Sequence, residues 1–259
     1  MQEDRFRYIL HELDEKGEVQ VSLLAKKLNV TEMTVRSDLN NLAKNGMLKR
    51  IHGGAVKKGD YQYKDKTQDM VYYNSVSKMT IAKMAYELLA PGMTLYVDDS
   101  STCLYLIKLI RKSPDMKCRV ITNSIYVVME LLEAEHTSVY LLGGEVTKNL
   151  GSTSVEEEKT DVLNADFCFI GANGLSAKEG VSVMGYPQKR AKQIMMRNSK
   201  KKILLVDSQK FGKVFPTTIA ELKDFDAIYT DGMIQSEDLQ VALSDPEIHV
   251  IDSKQCRKI

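Results

Sequence analysis

The residues best suited to chemistry gather in short polar runs, each directly after an apolar one. They read Asp98-Asp99-Ser100-Ser101-Thr102, Asn123-Ser124, Gly143-Gly144-Glu145, Gly171-Ala172-Asn173-Gly174, Asp207-Ser208-Gln209-Lys210 and Asp231-Gly232. Ser100, Ser101 and Thr102 run straight into a helical stretch, so hydroxyls and free amides converge on a helix N-terminus, which favours an anion. Lys148, Lys192 and Lys210 are candidate cations for the same ligand. A second chemistry lies nearer the N-terminus. From Leu28 to Lys58 six Lys or Arg face two acidic residues, a local charge of about +4 suited to neutralising phosphates. The whole chain has 259 residues and a net charge of only +1, so this bias is local.

The elements that position these groups follow from periodicity. Val21, Leu24, Ala25 and Leu28 share one helical face, and Val35, Leu39 and Leu42 form a second face after a short break. Thr31 suits the N-cap of the second helix, with Glu32 in its first turn and Gly46 past its end. Small Ala25, turn-forming Asn29 and buried Val35 have the spacing of a helix-turn-helix. Strands over 47–51 and 55–58 then pair around His52-Gly53-Gly54, the two glycines accepting positive φ, as a basic wing. The recognition helix presents Thr31, Glu32, Met33, Thr34, Arg36 and Ser37, while Lys49, Arg50, His52, Lys57 and Lys58 lie on the wing. Arg36 is the candidate for base-edge or phosphate contact, with Thr34 and Ser37 positioning on the backbone. Duplex DNA is the expected partner. A helical protein-interaction module with a solvated basic face is the blander alternative.

Polar, aperiodic residues 59–74 read as a linker, dividing the chain into a DNA-binding domain at 1–58 and an effector-sensing domain at 75–259. A helix starts near Ser75 or Ser77 with Ile81, Met84, Ala85 and Leu88 inward. Beyond Met93 the pattern predicts strands over 94–97, 119–122, 138–142, 167–170, 202–206, 227–230 and 248–251. Helices are predicted over 102–111, 125–133, 187–199 and 236–243. Such alternation implies an α/β fold with a mostly parallel sheet covered on both faces. The polar runs then fall at the carboxyl ends of the strands, where open α/β sheets bind ligands.

The remaining composition is quieter. Cys103, Cys118, Cys168 and Cys256 are scattered, without a C-x-x-C pair or clustered histidines, so reduced packing thiols are expected and neither a metal nor a cofactor. The opening MQEDRFRYIL lacks the apolar run of a leader, and the expected location is cytoplasmic.

The stretch TEMTVRSDLNNLAKNGMLKRIHGGAV resembles the DNA-binding signature of DeoR-family transcriptional regulators. Thr34, Val35, Arg36, Asp38, Leu39, Arg50, His52, Gly53, Gly54 and Ala55 match, and Ser37 stands where the family usually has a second arginine. The runs VITNS, LLGGE, FIGANGL, LLVDSQKFG and IYTDG are similar to that family's sensor domain in order and spacing. The resemblance implies a sensor fold akin to sugar-phosphate isomerases and CoA transferases, binding a phosphorylated sugar or related intermediate that alters operator affinity. By motif match Asp98, Ser101 and Thr102 correspond to the phosphate loop, and Asn123, Gly143, Gly144, Lys192, Asp207 and Lys210 line the remainder. Ser100 replaces a loop glycine, Val155 another glycine, and Gln188 a glutamate; these departures are expected to act on the pocket rather than the core, either altering the ligand, the favoured outcome, or weakening ligand control.

Two function classes follow. One is a repressor of a carbohydrate or related operon, acting as a dimer or tetramer on repeated half-sites. The other is a sugar-phosphate isomerase-like enzyme with a DNA-binding appendage, for which Asp98, Asp99 or Asp207 would have to serve as the base.

Overall fold

Helix α1 (Gln2–Lys16) buries Phe6, Ile9, Leu10 and Leu13, the i, i+3, i+4, i+7 stripe of an amphipathic helix. The computed structural model describes residues 2–44, 47–51, 53–57, 74–155, 163–232, 240, 244–245 and 249–252. Two compact units result, Met1–Val76 and Ser77–Ile259. Gly46, His52, Lys58, the expected linker residues 59–73 and nearly all of the expected helix over 236–243 lie outside the described residues.

In the first unit, α1 packs beside α2 (Val21–Leu28) and α3 (Glu32–Lys44) over a core that includes Leu24, Ala25, Val35, Leu39 and Leu42. Asn29 caps α2 in the left-handed conformation, with φ 51° and ψ 48°, and its amide returns to the last turn. The Thr31 hydroxyl oxygen accepts from the Thr34 amide at 3.1 Å, which starts α3 as expected. Met33 stands 80% exposed at the same end of the helix.

The wing comprises β2 (Leu48–Ile51) and β3 (Gly54–Lys57), antiparallel with Leu48 opposite Lys57 and Ile51 opposite Gly54. A third strand absent from the sequence reading, β1 (Glu18–Gln20), pairs with β3, giving the order β1-β3-β2. This third strand corrects the expected role of the two glycines. Gly53 has the positive φ of the turn, 75°, whereas Gly54 does not. Gly54 is needed because β1 crosses close to it: a Cβ there would lie 2.1 Å from the Val19 carbonyl oxygen.

Helix α4 (Ser75–Tyr86), all but its first two residues in the second unit, buries Ile81, Met84 and Ala85. Seven strands then form one sheet: β4 (Thr94–Val97), β5 (Cys118–Thr122), β6 (Thr137–Leu141), β9 (Ala165–Ile170), β12 (Ser199–Leu205), β14 (Ala227–Thr230) and β15 (Val250–Asp252). Every pairing is parallel, in the order β15-β14-β12-β9-β4-β5-β6. The chain winds outward from β4 through β5 to β6, returns to β9 on the other side of β4, and winds outward again. The reversal places a topological switch point between β4 and β9, where the carboxyl ends open a crevice. Helices α5 (Ser101–Arg111), α6 (Ile125–Leu131) and α7 (Tyr186–Arg197) make the crossovers after β4 and β5 and before β12.

Two small sheets were not expected from periodicity. The hairpin β7 (Gly144–Thr147) and β8 (Ser152–Val155) follows β6, and β10 (Gly174–Ser176), β11 (Gly180–Val183) and β13 (Thr217–Ala220) form an antiparallel trio. Leu175, Val181, Val183 and Ile219 of the trio join Ala191, Ile194 and Met195 of α7 in the core.

Replacing Gly54 by Ala is expected to destabilise the N-terminal unit by about 1–3 kcal/mol, the usual cost of forced overpacking. Urea unfolding followed on that unit, together with loss of DNA binding, checks it. Gly53→Ala strains only the turn conformation and leaves the β1–β3 pairing in place.

Candidate functional site

Asp98 leaves the carboxyl end of β4 fully buried and accepts three hydrogen bonds. Its Oδ1 accepts from the Ser100 amide at 2.9 Å, and its Oδ2 accepts from the Gly171 amide at 2.7 Å and from Lys192 Nζ. Gly171 begins the segment after β9, so this carboxylate stitches the two strands of the switch point together. Lys192 reaches it from α7 and also donates to Asp99 Oδ1 at 3.5 Å. Burial alone would raise the Asp98 carboxyl, but the Lys192 ammonium and the two amides outweigh it and hold it below the ordinary carboxylate range. Burial likewise pushes Lys192 down, yet Asp98 and Asp99 overcome this and raise it.

Ser100 caps α5, its hydroxyl oxygen accepting from the Cys103 amide at 3.2 Å. A Cβ on Gly171 would lie 2.4 Å from the Ser100 Cβ, so the absence of a side chain there lets the β9 segment close onto the cap. The amides of Ser101 and Thr102 lie in the first turn, where no carbonyl of the same helix can receive them. Next to this loop, Asn123 ends β5, nearly buried, with its Nδ2 donating to the Thr153 carbonyl at 3.5 Å. Thr153 of β8 donates its amide back to the Asn123 carbonyl at 2.8 Å, which ties the hairpin to the sheet.

The other expected site residues spread along the same edge. Asp207 caps the short turn Ser208–Lys210 beyond β12, accepting from Gln209, and Lys210 is half-buried at its end. These two residues sit two strands from β4. Gly143 and Gly144 are exposed at the start of the hairpin, and Lys148 is exposed on its turn. The structure therefore brings Asp98, Ser100, Ser101, Thr102 and Lys192 into one locus, with Asn123 beside it. Asp99 belongs to that locus too, through Lys192. Val155 is a correction: it is 1% exposed in the hydrophobic core, opposite Gly144, so this departure fills the core and not the crevice. Gln188 lies on α7 one turn before Lys192.

On the N-terminal unit, Thr31, Glu32, Met33, Arg36 and Ser37 are exposed, and Thr34 is partly so. Arg36 pairs with Glu32 at 3.0 Å, an exposed contact worth about 0.3–0.5 kcal/mol that phosphate readily displaces. Lys49 is exposed on β2 and Lys57 lies on β3. Arg50 is half-buried and donates to the Gly54 carbonyl, so it braces the wing turn in this structure. Asp38, to which the sequence assigns no role, is buried on the inner face of the recognition helix and accepts from Arg5 Nε at 2.6 Å and Arg5 Nη2 at 3.1 Å. A mid-helix acid in a basic segment was the available signal. The Asp38 carboxylate also raises the Arg5 guanidinium.

Residues 5–58 match the DeoR-like helix-turn-helix domain, and residues 73–232 match the DeoR C terminal sensor domain. The chain belongs to the DeoR family of transcriptional regulators. It is 31% identical over 238 residues to the HTH-type transcriptional regulator GolR of Listeria innocua, spanning 89% of this chain and 91% of that protein. It is 32% identical over 235 residues to the lactose phosphotransferase system repressor of Staphylococcus epidermidis, spanning 88% and 91%. Among solved structures, ribose 5-phosphate isomerase A of Methanocaldococcus jannaschii aligns with 53% of this chain and 55% of its own at 21% identity and TM-score 0.40, too slight a likeness to bear on function.

In this DeoR-family regulator, Cys103, Cys118 and Cys168 are free and buried, and the Cys103 thiol donates to the Phe169 carbonyl. Burial and the nearby Asp98 push the Cys103 thiol well up, away from the reactive thiolate. Among the described residues no cluster of His, Cys, Asp and Glu could hold a metal, and no helix is long and apolar enough to cross a membrane.

Lys192→Met is expected to destabilise the sensor unit by about 3–5 kcal/mol, because Asp98 and Asp99 are left buried without their cation. Urea unfolding measures it. In the unsubstituted protein, the lowered Asp98 contributes stability above the ordinary carboxylate value of about 3.9 and loses it as pH falls through its native value. The raised Lys192 contributes fully below about 10.4 and loses it only as pH rises through its native value. Between these limits the pair's contribution should be flat with pH, and Lys192→Met should remove the acid limb.

Proposed function

We propose that this protein is a ligand-responsive repressor of an operon for carbohydrate use. A phosphorylated sugar, or a metabolite of the same chemistry, would lower its affinity for operator DNA. The observation that carries the reading is the pairing, in one chain, of an exposed recognition-helix N-terminus with a switch-point crevice whose helix offers free amides to an anion. The name of the Staphylococcus epidermidis relative, a lactose phosphotransferase system repressor, supports the carbohydrate link and the sign of regulation.

DNA binding rests on Thr31, Met33, Thr34, Arg36 and Ser37 at the groove and on Lys49 and Lys57 at phosphates, with Arg50 shaping the wing. His52 belongs to the same wing turn by sequence. Ser37, where the family usually carries arginine, leaves Arg36 as the cation of this part of the helix. The ligand would bind between the amides of Ser101 and Thr102 and the polar ends of the neighbouring strands, including Asn123, Asp207 and Lys210. It acts by binding more tightly to the arrangement of the protein that grips DNA less well, and DNA opposes it by the same factor.

The isomerase alternative loses its first candidate base: both oxygens of Asp98 are engaged by amides or by Lys192, and Asp207 caps a turn. Assembly as a dimer or tetramer follows from the small DNA surface that one winged head can cover. Exposed Met129, Leu132, Tyr140, Leu141 and Val146, on or beside α6, β6 and β7 at one edge of the sheet, support a self-association face.

Gel shifts on the DNA upstream of the chain's own gene, across a salt series, test the reading. Specific binding should weaken steeply with salt, Arg36→Ala should reduce it about tenfold or more, and Lys49→Ala should flatten the salt slope by about one. Sugar phosphates should release the DNA. Turnover of pentose or hexose phosphates without specific DNA binding would overturn the proposal.

A further inference from the structure

Beyond the carboxyl ends of β4 and β5 the protein leaves acceptors unused. Asp99 Oδ2 and Asn123 Oδ1 are buried without a hydrogen-bond partner, and their residues are only 7% and 2% exposed. Among the described residues the one other side-chain atom in this state is Thr230 Oγ1, at the carboxyl end of β14. Buried acceptors are normally satisfied, so two on neighbouring strands beside a helix N-terminus point to something that binds there.

The chemistry of that occupant follows from the charges. Lys192 is shared unequally: it sits against Asp98 and reaches Asp99 Oδ1 only at 3.5 Å. Two carboxylates around one ammonium leave an excess of acceptors, and the partial positive charge of the α5 N-terminus offsets only part of it. A phosphate brings further acceptors and cannot satisfy Asp99 Oδ2 or Asn123 Oδ1. Hydroxyl or ammonium hydrogens can. The anion-favouring amides of Ser101 and Thr102 lie two and three residues beyond Asp99, so both demands arise within a single loop.

We infer that Asp99, together with Asn123, is the specificity-determining acceptor pair that reads the hydroxyl or amino substituents of a phosphate-bearing metabolite anchored at the α5 N-terminus. The inference rests on the effector reading above and adds what the ligand must carry besides its phosphate. Asp99 binds the ligand's donor groups, and the amides bind its anion. Inorganic phosphate alone fills half of the site.

Calorimetric titration of the full chain with inorganic phosphate, n-propyl phosphate, glycerol 1-phosphate, a hexose 6-phosphate and the matching hexosamine 6-phosphate tests this. The unsubstituted protein should prefer glycerol 1-phosphate to n-propyl phosphate by about tenfold or more, since the two differ only in hydroxyl groups. Asp99→Asn keeps the shape and replaces one acceptor with a donor. It should weaken the hexose ester by about tenfold or more, a change of ~1.4 kcal/mol, while inorganic phosphate binds as before or more tightly. A larger loss for the hexosamine ester identifies ammonium as the preferred donor, and equal losses identify hydroxyl. If Asp99→Asn does not fold, the propyl and glycerol esters decide alone. Equal affinity for those two esters, or an Asp99→Asn protein that binds all ligands as the parent does, overturns this inference and leaves the effector reading standing. A parent protein that grips operator DNA but binds none of the esters overturns both.

Discussion

The buried contact between Asp98 and Lys192 is the constraint on which the sensor half depends. A carboxylate and an ammonium removed from water each lose several kcal/mol of hydration, and only close pairing with added hydrogen bonds recovers it. Asp98 obtains those bonds from the Ser100 amide on its own loop and from the Gly171 amide across the switch point. Lys192 brings α7 to the same place. One ion pair thus ties together two neighbouring strands, the start of α5 and the middle of α7. Asp98 is therefore engaged in architecture, and in the proposed reading the ligand meets the amides beyond it and the acceptors beside it.

The N-terminal unit uses a related arrangement at lower cost. Asp38 is buried, but Arg5 keeps part of its surface in water, so the pair needs less desolvation. It ties α1 to the inner face of the recognition helix and leaves the outer face free for DNA. Lys27 on α2 donates to Glu12 on α1 at 3.0 Å, two turns along α1 from Arg5. Both units therefore place a charge pair directly behind the surface proposed to meet the partner, where it sets position without occupying that surface.

Much of this was legible in the residues. Hydrophobic spacing located α2, α3, the wing and all seven strands of the large sheet, because a parallel strand buried on both faces leaves a continuous apolar run. Helix α1 is equally legible in the stripe of Phe6, Ile9, Leu10 and Leu13. The small strands β1, β7, β8, β10, β11 and β13 were not legible, since pieces of three or four residues carry no period and exist only because partners lie alongside. Val155 shows the hazard of reading a departure from a pattern as a change of site: its position is a core position, settled by what packs around it.

By itself, the sequence determined the identity of the two units, the local basic charge of the DNA-reading head and the polar character of the strand ends. These depend on residue type and on neighbours a few positions away, and both are written along the chain. Tertiary structure alone decided which polar residues meet. It joined Asp98 to Gly171 and Lys192 across spans of 73 and 94 residues, and made Gly54 necessary through a strand that precedes it by more than thirty residues. It also left Asp99 and Asn123 with unused acceptors. The physical reason is that a hydrogen bond is set by distance in space, and residues far apart in sequence become neighbours only when the sheet closes around them.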